Sequence, residues 1–523
     1  MGSYLNPGNF SFKGSLRSKI YVDKSKLIAK TNEVLCTEQK YICVSRPRRF
    51  GKSMAANMLT AYYSRGCNSR KMFSSYKIAK ADSFEKHLNK YNVIHINMVD
   101  FLSEANNIEE MIEEIQKAVL FELTNEFSDV RFYDNKKLAR SLKDIFAKHS
   151  VPFIFVIDEW DCIFREHKND TESQTKYLDF LRNLLKNQSY VALAYMTGIL
   201  PIKKYGKHSA INVFYEYSMT DAKPISEFTG FTESEVKSLC DQYDKPFEQM
   251  KRWYDGYCLD DISIYNPKSV VESILRNNFG NYWTKTETYE ALKVYIQINF
   301  DGLRDKVIKL IAGEKVKINP DKFQNDMTTF NSADDVLTLL VHLGYLTYND
   351  NLAWIPNGEV AQEFINSIED GGWEEVMRSI RLSDELLKAT LNCDEEKVAK
   401  LIEQSHQDNT SILKYNDENS LSCVLSLAYY SARKSYTIER ELPAGKGFAD
   451  LVFKPRSNCS SSAFIAELKY DGSAESAIEQ IKNKQYTDCL KDYSGEILLV
   501  GINYDKESKK HYCKIMKTRK DNQ

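Results

Sequence analysis

The chain has 523 residues, 42% hydrophobic and 28% charged, with a formal net charge of −2, too long for one ordinary core and suited to roughly two to four domains. The near-neutral balance excludes a globally basic nucleic-acid coat, so contact with nucleic acid must come from a local patch. Eleven cysteines without CxxC or zinc spacing, a polar N-terminus, and no run of about 18 apolar residues point away from secretion and membranes and toward reduced thiols in the cytoplasm.

Taken in order, Ile20-Tyr21-Val22-Asp23-Lys24 with Leu27 and Ile28 makes a short element ahead of an apolar strand at Tyr41–Ser45. That strand runs into Arg46-Pro47-Arg48-Arg49-Phe50-Gly51-Lys52-Ser53 and then into Met54, Ala55, Met58, Leu59 and Tyr62, spaced as the apolar stripe of a helix. Strand, loop, Gly-Lys-Ser and helix form the phosphate cradle of a nucleotide site. Lys52 would reach the β/γ oxygens, Ser53 would ligate Mg²⁺, and the backbone from Gly51 onward would face the phosphates. Arg46 stands where the common loop has glycine; Arg46, Arg48 and Arg49 are expected to compensate with charge against an anionic triphosphate. The plain alternative is a basic turn before an amphipathic helix.

A strand at Val93–Met98 and helices at Ile108–Phe127 and Asn135–His149 follow. Pro152-Phe153-Ile154-Phe155-Val156-Ile157-Asp158-Glu159 then reads as a buried parallel strand ending in acids. Asp158 would hold Mg²⁺ and Glu159 would polarise the attacking water; a solvated acidic turn is the alternative. A strand at Tyr190–Met196 ends at Thr197, placed to sense the γ-phosphate or to make a simple Thr-Gly turn. Alternation of strands and helices predicts an α/β P-loop parallel-sheet domain over 1–230.

Residues 231–410 read as a helical lid and a winged-helix-like region. Trp253-Tyr254-Asp255-Gly256-Tyr257 and Tyr265-Asn266-Pro267 are expected to pack a lid. Helix, Gly344 turn and two short strands over 333–355, poor in basic residues, fit a packing module better than a DNA reader. A soft boundary falls over Asn409–Asn419, and residues 411–523 make a further α/β unit.

There a helix precedes strands at Tyr436–Glu441 and Gly445–Phe453, and a polar turn leads to Ala463–Lys469. Glu467 and Lys469, two apart, share a face, and Asp450 on the neighbouring strand can meet them. Asp with Glu-x-Lys is the constellation of a metal-dependent phosphodiesterase: carboxylates for Mg²⁺ and a lysine for the developing anion. Glu441 is a further ligand candidate, and Gln480 borders the stripe of the next helix. A surface Glu–Lys pair on an edge hairpin is the alternative.

Together these stretches, with Gly344-Tyr345-Leu346-Thr347 and Gly445-Lys446-Gly447-Phe448-Ala449-Asp450, resemble bacterial-type proteins that join an AAA-ATPase-like domain to a restriction-endonuclease-like, PD-(D/E)XK nuclease-like domain. The resemblance implies ATP and Mg²⁺ at Lys52, Ser53, Asp158 and Glu159, and a metal at Asp450 and Glu467 supported by Lys469. It also implies that the Arg46 variant loop is functional. Related nucleases carry Gln-x-x-x-Tyr; Tyr486 stands six residues after Gln480, off that face of a continuous helix, and receives no role. The expected partner is nucleic acid, DNA first. Self-assembly is left open, with Arg165 and Arg182 as candidates to complete a neighbour's site. The first reading is an ATPase governing a nuclease on the same chain; the second is a nucleotide-switched binding or signalling protein with a non-cleaving nuclease fold.

Overall fold

Five apolar residues in a row, Phe153–Ile157, can be buried on both faces only inside a covered parallel sheet. In the computed structural model this segment is β3 (Phe153–Asp158), every residue of it buried. The structure describes residues 2–202, 211–283, 290–297, 301–324, 327–328, 330–369, 373–409, 418–444, 447–456, 461–490 and 493–518. The chain divides into two units, one of residues 1–289 and 317–362 and one of residues 290–316 and 363–523.

In the first unit β1 (Tyr41–Ser45), β2 (Asn92–Asn97), β3, β4 (Val191–Gly198) and β5 (Tyr215–Tyr217) form one sheet of order β2-β3-β4-β1-β5. All its pairings are parallel. Val44 is level with Thr197 and Ile157 with Met196, so the carboxyl ends of β1, β3 and β4 lie side by side. Open parallel sheets gather ligands at that edge. The helix Lys52–Tyr63 lays Ala56, Leu59 and Tyr63 on the sheet, against Val44, Ile154 and Tyr195. The strand β5 was not anticipated: three residues carry too little pattern to be read.

The small strands β6 (Phe231–Thr232), β7 (Tyr257–Leu259) and β8 (Ile262–Tyr265) make a second sheet, followed by the helix Pro267–Arg276. A third holds β9 (Val316–Lys317), β10 (Thr347–Asn349) and β11 (Leu352–Trp354). The helix Ala333–Leu343 before β10 opens on a Ser332–Asp335 capping box, the winged-helix-like shape expected.

The aromatic turns pack as anticipated. Tyr257 donates from its hydroxyl to the Gly344 carbonyl at 2.9 Å and meets Phe50 edge-on, centroids 5.0 Å apart. Asn266 caps the helix Pro267–Arg276 by accepting from the Ser269 N–H. Lys24 pairs with Glu235 at 2.5 Å, which ties the Tyr21–Lys24 strap to the helix Glu233–Tyr243.

The second unit is built on a five-stranded sheet of β12 (Tyr436–Ala444), β13 (Gly447–Pro455), β14 (Ala463–Tyr470), β15 (Ile497–Asp505) and β16 (Lys510–Thr518), in that order. Only β14–β15 is parallel. Alternation assigns each face. Leu451, Phe453, Phe464 and Val500 join one core, whereas Val452, Ile465 and Leu499 join Ile478 and Ile481 of the helix Ala474–Asn483. Gly445 and Lys446, expected at the start of the second strand, lie outside the described residues, as do residues 457–460 of the polar turn.

Candidate functional site

The first site is assembled at the carboxyl edge of the parallel sheet. Gly51, the N-cap of Lys52–Tyr63, has φ 89°, a left-handed conformation glycine adopts without steric cost. No side chain caps this helix, so its first N–H groups and dipole face outward, as phosphate binding requires. A cavity of about 630 Å³ opens there, lined among others by Tyr21, Arg48, Arg49, Lys52, Ser53 and Glu159. Lys52 is buried and donates from Nζ to the Arg46 and Pro47 carbonyls at 3.0 and 3.1 Å. Burial lowers its pKa, opposed by Glu159 and Asp158.

Arg46 corrects the sequence reading. It is wholly buried and donates to Thr229 Oγ1 and to the carbonyls of Ser45, Tyr217 and Ser218, at 2.8–3.0 Å. Its charge is spent on fixing the loop to the sheet end beside β5 and is turned away from the cavity. Arg48 and Arg49 are the exposed pair of the loop, and Trp283 Nε1 donates to the Arg48 carbonyl at 3.1 Å.

Asp158 accepts from its neighbour Glu159 N–H at 3.1 Å and from the Thr197 hydroxyl. The ends of β3 and β4 thus bring Thr197 and Asp158 into contact, and Lys52 lies near enough to Asp158 for their charges to interact. Glu159 has φ 53°, a strained backbone of the kind found at functional positions, and burial raises its pKa. Its carboxylate is held by Arg165 Nη2 at 2.5 Å, and Arg165 Nε reaches Asp161 at 3.2 Å. Asp161 is wholly buried and also accepts from the Ile199 and Leu200 N–H groups. Arg165, considered for a neighbour's site, is therefore engaged within its own. Arg182 is half-exposed beside Asp179 at 3.1 Å.

The second site lies on the β13–β14 face covered by Ala474–Asn483. Glu467 is buried; Lys469 Nζ stands 3.4 Å from its Oε1, which also accepts from Gln480 Nε2. Glu467 Oε2 is buried without a hydrogen-bond partner. Asp450 accepts from the Leu468 N–H at 2.7 Å. Burial, then the Asp450 carboxylate, pushes the Glu467 pKa up to about 7. Two facing carboxylates, one with an orphaned buried oxygen, are a donor set that fits a hard divalent cation. Glu441 lies between the registered pairs Arg440–Leu451 and Leu442–Ala449, exposed and with φ 46°. Among the described residues no group of three His, Cys, Asp or Glu gathers to hold a metal.

Tyr486 was set aside on the premise of one continuous helix. The helix ends at Asn483 and Tyr486 begins a short 3₁₀ turn, which brings its hydroxyl within 3.2 Å of Gln480 Nε2. Only the break after Asn483 makes this contact, and no residue type there announces it.

The fold and these two clusters define a P-loop ATPase-like domain joined to a restriction-endonuclease-like domain. Residues 11–207 match the family described as a predicted AAA-ATPase, and residues 416–513 match the PD-(D/E)XK nuclease superfamily. The chain thus carries an AAA-ATPase-like domain and a PD-(D/E)XK nuclease superfamily domain. A curated relative, an uncharacterized protein in the vnfD 5′ region of Azotobacter chroococcum mcd 1, is 22% identical over 281 residues. That match spans 51% of this chain and 51% of the relative, about half the length of each. Among solved structures, a Walker-type ATPase of Pyrococcus abyssi is 14% identical, with a TM-score of 0.35 over 65% of this chain and 94% of its own. The ORC2 protein of Aeropyrum pernix is 9% identical, with a TM-score of 0.32 over 68% and 97%. Among the described residues no helix is long and apolar enough to cross a membrane.

Proposed function

We propose that this chain binds and hydrolyses ATP at the Lys52 site, and that its nucleotide state governs a metal-dependent nuclease at the Asp450–Glu467–Lys469 site. The observation that carries the reading is the buried Glu467 carboxylate with an unpartnered oxygen beside Asp450 and Lys469, an arrangement costly to keep without a ligand.

In the first site the helix N-terminus and Lys52 bind the phosphates, leaving the carbonyls of Arg46 and Pro47 as Lys52 turns outward. Arg48 and Arg49 add charge at the rim. Ser53 and Asp158 would hold Mg²⁺, which would supply charge neutralisation to the phosphates. Glu159 orients the attacking water, and Thr197 keeps Asp158 in position. In the second site Asp450 and Glu467 would hold the cation, which would supply polarisation of the scissile phosphate and of a water. Lys469 stabilises the developing anion, and Gln480 fixes the Glu467 rotamer.

The test is cleavage of labelled single- and double-stranded DNA and RNA with Mg²⁺ or Mn²⁺, with and without ATP, beside Lys469→Ala. Cleavage lost in the variant and altered by ATP supports the reading. ATP hydrolysis with no cleavage by the parent chain supports a nucleotide-switched nucleic-acid-binding protein. That second reading is favoured by one observation, the exposed Glu441, which leaves two carboxylates at the site.

A further inference from the structure

The backbone that carries Glu159 is fixed from two sides. Trp160, wholly buried, donates from its N–H to the Thr197 carbonyl at 3.0 Å, and its own carbonyl accepts from the Tyr177 hydroxyl at 2.8 Å. The long Glu159 side chain is the part left to move, and holding it in one rotamer costs entropy. Its Oε2 is taken by Arg165 Nη2 at 2.5 Å, which leaves Oε1 for the cavity that Glu159 lines with Lys52 and Ser53. Arg165, with 9% of its side chain exposed, lies outside that lining and grips the carboxylate from behind.

Arg165 is itself held. It stands on the short helix Cys162–Glu166, with Nε 3.2 Å from Asp161 Oδ2. The same oxygen accepts from the Ile199 and Leu200 N–H groups, which follow β4, at 3.0 and 2.8 Å. A line of contacts therefore runs from the end of β4 through Asp161 and Arg165 to Glu159. Lys52 is another cation whose charge acts on Glu159; on the ATPase reading it turns away to the phosphates, whereas Arg165 stays with the acids.

We infer that Arg165 is a positioning residue for ATP hydrolysis: it clamps one oxygen of Glu159 so that the other is presented to the attacking water. The inference rests on the ATPase reading of the Lys52 site and deepens it by naming what aims Glu159. A carboxylate free to rotate meets the water in a fraction of its rotamers, and one gripped by a guanidinium meets it in nearly all. Because Arg165 lies outside the cavity, its effect falls on turnover and spares nucleotide affinity.

The experiment compares the full chain with Arg165→Lys by steady-state ATP hydrolysis with Mg²⁺ and by binding of a fluorescent non-hydrolysable ATP analogue. Lysine keeps a cation for Asp161 but lacks the second arm that reaches Glu159. The expected result is a kcat lowered about 10- to 100-fold, with KM and the Kd of the analogue unchanged. Asp161→Asn keeps an oxygen for the Ile199 and Leu200 N–H groups and removes the charge that aligns Arg165. It lowers kcat in the same pattern and carries the test should Arg165→Lys fail to fold. In a Glu159→Gln background Arg165→Lys adds little to the loss, because the group it aims is already gone. An unchanged or raised kcat, analogue binding lost in step with kcat in both variants, or losses that add fully in the double variant overturns this inference and leaves the ATPase reading standing. A parent that hydrolyses no ATP overturns both.

Discussion

At the scale of single residues, the ATPase-like site is governed by who partners whom. Asp161 is buried and charged, and Arg165 is its cation. Removing one member of such a pair strands the other. Arg165→Ala is therefore expected to destabilise the chain by about 3 kcal/mol, read as a lower unfolding midpoint, and Arg165→Lys to restore only part because it lacks the fork. An unchanged midpoint would show the pair to be energetically idle. Lys52, Asp158 and Thr197 were legible in the sequence because strand-end position and residue type suffice to place them. Arg46 was not: its chemistry suits a phosphate as well as a ring of carbonyls, and burial alone decides between them.

At the scale of elements, β15 and the helix Ala474–Asn483 must approach closely for Gln480 to touch Glu467. A Cβ on Gly501 would stand 2.1 Å from the Ala474 carbonyl oxygen, so Gly501→Ala must push the helix off the sheet. The expected cost is about 3 kcal/mol, together with loss of any nuclease activity; chemical unfolding and the cleavage assay read the two effects separately. The same unit holds His406 Nδ1 3.1 Å from His511 Nε2, both buried. Burial lowers their pKa values from 6.5 to about 4 and, with His406 adding to it, about 3. The unfolded chain thus binds more protons across that window. The pair's contribution to stability is complete above about pH 6.5 and is lost as the pH falls toward 4 and then 3. His511→Phe should flatten the decline in unfolding midpoint between roughly pH 7 and 5. Strands β12, β13 and β14 of this unit were readable from hydrophobic runs; β16 was not. Its alternating Lys510-His511-Tyr512-Cys513-Lys514 is too polar to stand out and is recruited by pairing with β15.

At the scale of the whole molecule, two candidate sites on one chain make a separable prediction. Asp450→Ala is expected to abolish cleavage with ATP hydrolysis retained, and Lys52→Ala to weaken nucleotide binding about 100-fold, a loss on the order of 3 kcal/mol. Cleavage by Lys52→Ala that no longer responds to ATP would tie the clusters together; a full ATP response in that variant would dissociate them. The two α/β domains were legible because each has its own periodicity and its own charged strand ends, whereas the expected middle region over 231–410 is divided between the two units, and the contacts of the aromatic turns depend on residues as distant as Tyr257 and Gly344. The arginine at the root of the phosphate loop also bears on how such a sequence can change. The guanidinium of Arg46 completes hydrogen bonds for Ser45, Tyr217, Ser218 and Thr229 at once, so exchanging it for the glycine of the common loop would orphan four acceptors in a single step. The path from this loop to the ordinary one is closed to point mutation, and an engineer who restored the consensus there would dismantle the site it was meant to improve.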